Sequence, residues 1–563
     1  MKKLISILLT LAMILAMTVT AFAADNKTTI TIEEPQVGTI KERTYDAFRL
    51  LNLKVSHKEA GHDYICPKEK DANAKCVDDC FNYNYSIPEN SPFLPILQKE
   101  VKEHTDASFW TALKVPVPTE AKDITVDQIL TYFSGLIGDN GANYSTLRKT
   151  ADRIYRDIQE GNPDDFAAYK IDLKTGSNEQ IEKGYWMIVE TTPGLTDNDA
   201  KSVVMLSTNA MDEITVNPKA DLPVVEKKVK DTDDSDNVEM TDHQWQDAAD
   251  HDMGDAIPFK LTATLPANMD SFEAYKMVFH DTMNGLELLP ETIKVYLYAN
   301  KVVADADSNM DNSVNNADPV YKTADGTNAN YIVSENDNSF DFTIVNAKDI
   351  AGAEGGNAIV ITYEARLTED AVLGQEGNKN SVYLEFSNDP YSDATGKTAE
   401  DSVKVFTYGL TINKKDAQGH DLAGAGFTLY KFSAEEGKYI AIGDELKSGI
   451  SFVWEGLDDG DYKLVETTVP EGYNAMKDID FTIQATHDIN SPDPQLTAIN
   501  SVVMGNGDLQ SGMITKEVIN HTGTVLPETG AMGTFMFICG GAALVMVAAV
   551  FMITRKKMSV YED

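Results

Sequence analysis

From residue 25 to about residue 524 the chain is written mainly in short runs of alternating apolar and polar residues, each closed by Gly, Asn, Asp or Pro. Successive side chains of a strand point to opposite faces, so such a run buries one face and wets the other. Many short runs of this kind, separated by turn residues, specify β-sandwiches and argue against a helical bundle. Helical periodicity is confined to the first third, over 92–103 and 126–160. At roughly 100–200 residues per domain, 563 residues hold several such units. Composition breaks at Lys219-Ala220-Asp221-Leu222-Pro223 and at Thr407-Tyr408-Gly409 place them at 25–220, 221–407 and 408–524.

Charge narrows the functions open to such a chain. Lys and Arg total 48 against 89 Asp and Glu, a formal net charge of −41, which repels phosphate backbones and excludes a nucleic-acid partner. No CxxC, HExxH or GxSxG occurs, so neither a zinc enzyme nor a serine hydrolase has a sequence basis.

The two ends predict a compartment. Met1-Lys2-Lys3, an apolar run from Leu4 to Val19 and Ala21-Phe22-Ala23-Ala24 have the charged start, apolar centre and small-residue cleavage site of a secretory signal peptide over 1–24. At the other end, Leu526-Pro527-Glu528-Thr529-Gly530 precedes an apolar stretch, 531–554, and then Arg555-Lys556-Lys557. That stretch is long enough for a hydrocarbon core of about 30 Å, and the basic residues hold the tail in the cytoplasm. The 526–563 segment resembles the LPXTG sorting signal of Gram-positive surface proteins. The resemblance implies that a sortase cysteine attacks the Thr529–Gly530 bond, and that an amine resolves the resulting thioester.

Parity along the strands of 408–524 is unusual. Leu410, Ile412 and Lys414 share one face, as do Tyr462, Leu464 and Glu466, so a lysine and a glutamate both point toward a core. Burying such groups unpaired drives them toward their neutral forms. The stretches Tyr408-Gly409-Leu410-Thr411-Ile412-Asn413-Lys414, Leu422-Ala423-Gly424-Ala425-Gly426-Phe427 and Asp461-Tyr462-Lys463-Leu464-Val465-Glu466-Thr467-Thr468-Val469-Pro470-Glu471-Gly472-Tyr473 resemble the CnaB-type domain of Gram-positive pilins, with Glu466 in its E-box and Val469 where Ala is usual. The resemblance implies a mostly β chain of tandem immunoglobulin-like (Cna-type) sandwiches behind an N-terminal α+β pilin domain. In such modules a neutral lysine attacks an asparagine carboxamide, an acid assists, ammonia leaves and an isopeptide bond remains. Carried onto this sequence, the roles fall to Lys414, Glu466 and Asn520, the last within Glu517-Val518-Ile519-Asn520.

The middle domain repeats the pattern. Lys227 shares a face with Val225 and Val229, and Asp281 with Met277 and Phe279. By resemblance to the middle domain of backbone pilins, Lys227 and Asp281 take the lysine and acid roles. Asn388 is chosen as the third member, with Asn380 at the same parity still open. In the first domain Glu190 echoes the E-box glutamate, but no opening-strand lysine has matching parity, so no isopeptide is expected there. Ile214-Thr215-Val216-Asn217-Pro218-Lys219 resembles the pilin motif, although Asn217 stands where Tyr is usual and Ala220 where Asn is frequent.

These resemblances imply a structural backbone subunit of a cell-wall-anchored pilus, polymerised head to tail by Lys219–Thr529 bonds. It would be a sortase substrate and not an enzyme. The partners implied are a class C-type pilin sortase, a housekeeping sortase, other copies of the chain, the peptidoglycan cross-bridge, tip or ancillary pilins and host ligands. The alternative is a monomeric wall-anchored adhesin. No cofactor is required, but Asp307, Asn309, Asp311, Ser313 (through its carbonyl), Asn315 and Asp318 have the spacing of a calcium loop. A solvated acidic loop is the competing reading. Cys66, Cys76 and Cys80 fall in a polar insertion, which outside the cell suggests one disulfide and one free thiol, with the pairing open.

Overall fold

The computed structural model describes residues 27–57, 81–88, 90–138, 145–208, 213–232, 235, 244–314, 330–447 and 449–523. All four cysteines, and the 1–24 and 526–563 segments read from sequence as a signal peptide and a sorting signal with a 531–554 span, lie outside these residues, as do residues 25 and 26. Among the described residues strand accounts for 45% and helix for 15%, so the chain is mostly β. No helix among them is long and apolar enough to cross a membrane.

In the first body, Lys27–Ile32 pairs antiparallel with Asn178–Glu182 and parallel with Glu213–Val216. A second sheet is built on Thr44–His57, which pairs with Phe81–Ser86, Lys170–Lys174 and Gly184–Glu190. Helices Phe93–Glu103, Val126–Ser134 and Thr146–Glu160 lay Phe93, Leu97, Ile129 and Ile154 against Phe48, Leu50 and Met187 of that sheet. The periodicity expected over 126–160 is thus two helices: Gly135 caps the first, and the Ser145 hydroxyl accepts the Arg148 N–H to begin the second. A further helix, Ala107–Leu113, was not expected; Asp106 caps it by accepting the N–H groups of Ser108 and Phe109.

The middle body is a sandwich. One sheet runs in the order Trp245–Gln246, Val225–Lys230, Ile257–Thr264, Ala358–Leu367, Leu286–Tyr298. The facing sheet is centred on Asn378–Ser387, which lies between Met277–Met283 and Asp401–Phe406. Phe259, Leu261, Phe279, Phe342, Ile361 and Leu384 fill the space between them.

The last body repeats the arrangement. Tyr408–Asp416 lies between Ser451–Leu457 and, in parallel, Met513–Asn520. Gly426–Ser433 and Gly460–Thr468 lead the facing sheet. At its junction with the middle body, the Gln375 N–H donates to Leu509 O at 2.8 Å. Gly374 there has φ +75°, and a Cβ would sit 2.3 Å from Gly512 N, so only glycine fits.

Candidate functional site

The alternation read from sequence is realised in the last body. Along Tyr408–Asp416, Leu410, Ile412 and Lys414 are buried while Thr411, Asn413 and Lys415 are only partly so. Tyr462, Leu464 and Glu466 are buried along Gly460–Thr468. Lys414 is fully buried, Glu466 is 8% exposed and Asn520 1%. The parallel pairing sets Lys414 beside Val518, and Asn520, two residues on, shares Val518's buried face. The Lys414 ammonium donates to Val518 O and Lys415 O, each at 3.3 Å. Asn520 Nδ2 donates to Glu466 Oε1 at 2.8 Å, and the Met476 N–H donates to Glu466 Oε2 at 2.9 Å. Asn520 Oδ1 is buried with no hydrogen-bond partner. Burial pulls the Lys414 amine below its ordinary value, and the Glu466 charge opposes that shift.

The second cluster spans the two sheets of the middle body. Lys227 and Tyr363 come from one sheet, Asp281 and Asn380 from the other. Lys227 Nζ donates to Asp281 Oδ2 at 2.5 Å and to the Tyr363 hydroxyl at 2.8 Å. The hydroxyl in turn donates to Asp281 Oδ2 at 3.0 Å and accepts from Asn380 Nδ2 at 2.9 Å. The rings of Phe259 and Tyr363 stand 5.7 and 5.3 Å from the ammonium. Burial drives the Lys227 amine down to about 8 and the Asp281 carboxyl up, so both move toward their neutral forms. Asp281 Oδ1 and Asn380 Oδ1 are buried without partners.

Asn388, chosen from parity, is elsewhere. It is buried, but its amide donates to Asp199 O of the first body at 3.1 Å. Register explains the correction: Asp281 pairs with Val382, whose same-face neighbour is Asn380. Asn388 lies six residues beyond Val382, about 20 Å along a strand, at the junction with the first body. Tyr363 went unnoticed because an inward aromatic in a strand has the signature of core.

In the first body Glu190 is buried, and its partner is an arginine. Arg43 Nη1 donates to Glu190 Oε1 at 2.8 Å and Nη2 to Asp199 Oδ1 at 2.9 Å, with all three side chains fully buried. Burial would raise Asp199, but hydrogen bonds from Thr196, Ile40 and Thr39 hold it down at about 2. A planar guanidinium is a hydrogen-bonding fork and not an attacking amine, so Arg43, Glu190 and Asp199 form an ion network.

Lys219 is exposed on the segment that follows Glu213–Val216, and its carbonyl accepts the Val203 N–H at 3.0 Å. Thr529 lies outside the described residues, as do Asn315 and Asp318 of the acidic loop. In that loop Asp307 is buried, and both its oxygens are engaged by protein donors: Asn309 N–H on Oδ1, Asn312 N–H and the Tyr298 hydroxyl on Oδ2.

Residues 409–493 match the model of the SpaA prealbumin-like fold domain. The chain is similar to the trypsin-resistant surface T6 protein of Streptococcus pyogenes serotype M6, 26% identical over 263 residues. The match covers 35% of this chain and 48% of that protein, so it spans about half the length of the curated relative. Among solved structures, the T6 backbone pilin of the same serotype aligns over 90% of this chain and 100% of its own, at 14% identity and a TM-score of 0.46. The group B streptococcus pilus 2b backbone protein aligns over 49% of this chain and 97% of its own, at 21% identity and a TM-score of 0.34. The Bacillus cereus major pilin BcpA aligns over 63% and 89%, at 17% identity and a TM-score of 0.35. Residues 409–493 thus match the SpaA prealbumin-like fold domain, in a chain similar over part of its length to a streptococcal surface protein.

Proposed function

We propose that this chain is the backbone subunit of a sortase-polymerised pilus, stiffened by two internal isopeptide bonds, Lys227–Asn380 and Lys414–Asn520. The observation that carries the reading is the presence of two water-excluded Lys–acid–Asn clusters in consecutive sandwiches. Each has an amine lowered by burial, and in each the asparagine oxygen has no partner. A buried charge pair alone is a poor stabiliser, whereas an amide formed in its place discharges it.

The chemistry follows from the groups present. The neutral lysine nitrogen attacks the asparagine carboxamide carbon. Asp281 or Glu466 passes a proton from the amine to the departing –NH2, and ammonia leaves. Tyr363 holds Lys227, Asp281 and Asn380 in one hydrogen-bonded set. Between subunits, sortase would form a thioester at Thr529, and the exposed Lys219 of the next copy would resolve it, giving an open head-to-tail filament.

Two measurements test this. Intact-mass analysis is expected to show a deficit of two ammonia molecules, and no deficit refutes the internal bonds. Cell-wall extracts boiled in SDS are expected to give a ladder that collapses in Lys219→Ala. A single wild-type band refutes polymerisation and favours a monomeric adhesin.

A further inference from the structure

Where the middle and last bodies meet, a lysine and two carboxyl groups stand together away from water. Lys431, on Gly426–Ser433, is 5% exposed, and Asp458, in the turn after Ser451–Leu457, is 1% exposed. Lys431 Nζ lies 2.6 Å from Asp252 Oδ2 and 3.2 Å from Asp458 Oδ2. Asp252 reaches in from the middle body and also accepts the Asp458 N–H on Oδ1 at 2.9 Å. The second oxygen of Asp458 accepts the Asp459 N–H at 2.7 Å, which fixes the plane of the carboxyl. The Tyr462 ring lies 5.9 Å from the ammonium, and the Tyr462 hydroxyl donates to Asp458 O at 2.8 Å. Burial pushes Asp458 far above the usual carboxylate range; Lys431 pulls it back, and Asp250, Asp252 and Asp459 push it up again. Burial raises Asp252 as well, against the pull of Lys431, so both carboxyls are biased toward their neutral forms.

We propose that Lys431 and Asp458 condense into a third intramolecular amide, with Asp252, contributed across the junction, as the proton-transfer group. The Asp252 carboxylate takes one proton from the Lys431 ammonium, freeing the nitrogen lone pair. The amine attacks Cγ of the neutral Asp458 carboxyl, and a C–N bond forms. Asp252 gives its proton to the departing hydroxyl while taking the second proton from nitrogen; the C–OH bond breaks and water leaves. The products are one amide, one water and a protonated Asp252, with nothing oxidised or reduced. The reacting groups already stand near contact distance in a fixed frame, so most of the orientational cost is met by the fold. The product replaces a buried ion pair with a neutral group.

Two consequences follow. The bond ties the turn after Ser451–Leu457 to Gly426–Ser433, on the face that meets the middle body. Because Asp252 belongs to that other body, the bond forms only once the two have docked. This site is independent of Lys227 and Lys414, and its leaving group differs: water here, ammonia there.

Peptide mapping of the purified full chain tests the proposal. A branched peptide joining Lys431 to Asp458, lighter by one water than its two arms, is expected in the wild type and absent in Lys431→Arg. Asp458→Asn is expected to give the same branched peptide with release of ammonia. Asp252→Ala is expected to slow its appearance about 100-fold, and Asp252→Glu to restore it. Ordinary tryptic cleavage after Lys431 with no branched peptide in the wild type overturns the proposal, as does a branch to residue 252. Wild-type yield in Asp252→Ala overturns the role given to Asp252. Lys227→Ala and Lys414→Ala are expected to remove the ammonia losses and leave this branch intact, so the two sets of bonds fail separately.

Discussion

Replacing Glu466 with Gln keeps the shape of the side chain while removing the group that would carry the proton. Glu466 accepts two hydrogen bonds on two different oxygens, from Asn520 Nδ2 and the Met476 N–H. A glutamine has one oxygen, so its –NH2 must face one of those donors, at about 1–3 kcal/mol. Loss of the cross-link costs more. Lys414 and Asn520 are 106 positions apart, and closing a loop of about 100 residues removes unfolded-state entropy worth ~4.7 kcal/mol. At roughly 4–8 °C per kcal/mol for a module of this size, the melting transition of 408–523 should fall by roughly 19–38 °C. Calorimetry of the full chain reads that shift while the other transitions hold, and intact mass shows one ammonia retained. A Glu466→Gln protein that sheds the same ammonia as wild type refutes the role of the acid. Retained ammonia with an unmoved transition refutes the loop-closure argument.

Asn380→Ala is expected to abolish the ammonia loss from the middle body, whereas Asn388→Ala leaves it intact and loosens only the contact with Asp199 O; peptide mapping separates them. Arg43→Lys gives up the fork that serves Glu190 and Asp199 together, leaving one buried carboxylate unpaired at about 3–5 kcal/mol; the transition of the first body should drop accordingly, and an unchanged transition counts against the network. Burial lowers His487, but its hydrogen bonds to Asp231 and Asp250 more than reverse this and raise it to about 10. A raised folded value means its contribution is whole below the unfolded value of about 6.5 and is lost as pH climbs through 10. The junction between the middle and last bodies should therefore weaken from pH 7 to 10 in thermal melts, and His487→Gln should flatten that profile.

How far the sequence could be read depends on which geometric quantity each residue needed. Facing is a period-two property, and it placed Lys227, Lys414, Asp281 and Glu466 toward their cores correctly. Distance along a strand is set by pairing register, which no single strand encodes; Asn380 and Asn388 have equal parity and sit about 26 Å apart in chain reach. Arg43 precedes its strand, so alternation says nothing about it. Lys431, Asp252 and Asp458 meet only because two bodies dock, with Asp252 and Asp458 both in turns. One helix boundary was legible and missed: Gly135-Leu136-Ile137-Gly138-Asp139-Asn140-Gly141 is a turn signal inside 126–160, and Gly135 and Ser145 cap the helices on its two sides.

The placement of the proposed bonds decides which residues carry tension. If load enters at Lys219 and leaves at Thr529, residues 25–218 hang beside the path, and a non-covalent Arg43 network is sufficient there. Within the path, a Lys227–Asn380 bond bypasses the chain between those residues, and a Lys414–Asn520 bond bypasses another 106 positions. At about 3.3–3.6 Å per residue, that second segment alone would extend by roughly 350–380 Å if it were released. What remains in series is chiefly 381–413, where Asp401–Phe406 holds to Asn378–Ser387 by antiparallel pairing and to Ala248–Asp250 by parallel pairing. Pulling single subunits between residue 219 and the C-terminal end should therefore give only short extensions, on the order of 110 Å from 381–413. A step of roughly 350 Å should appear in Glu466→Gln and be absent from wild type. The same long step in wild type would mean that Lys414 and Asn520 are not joined, whatever their proximity.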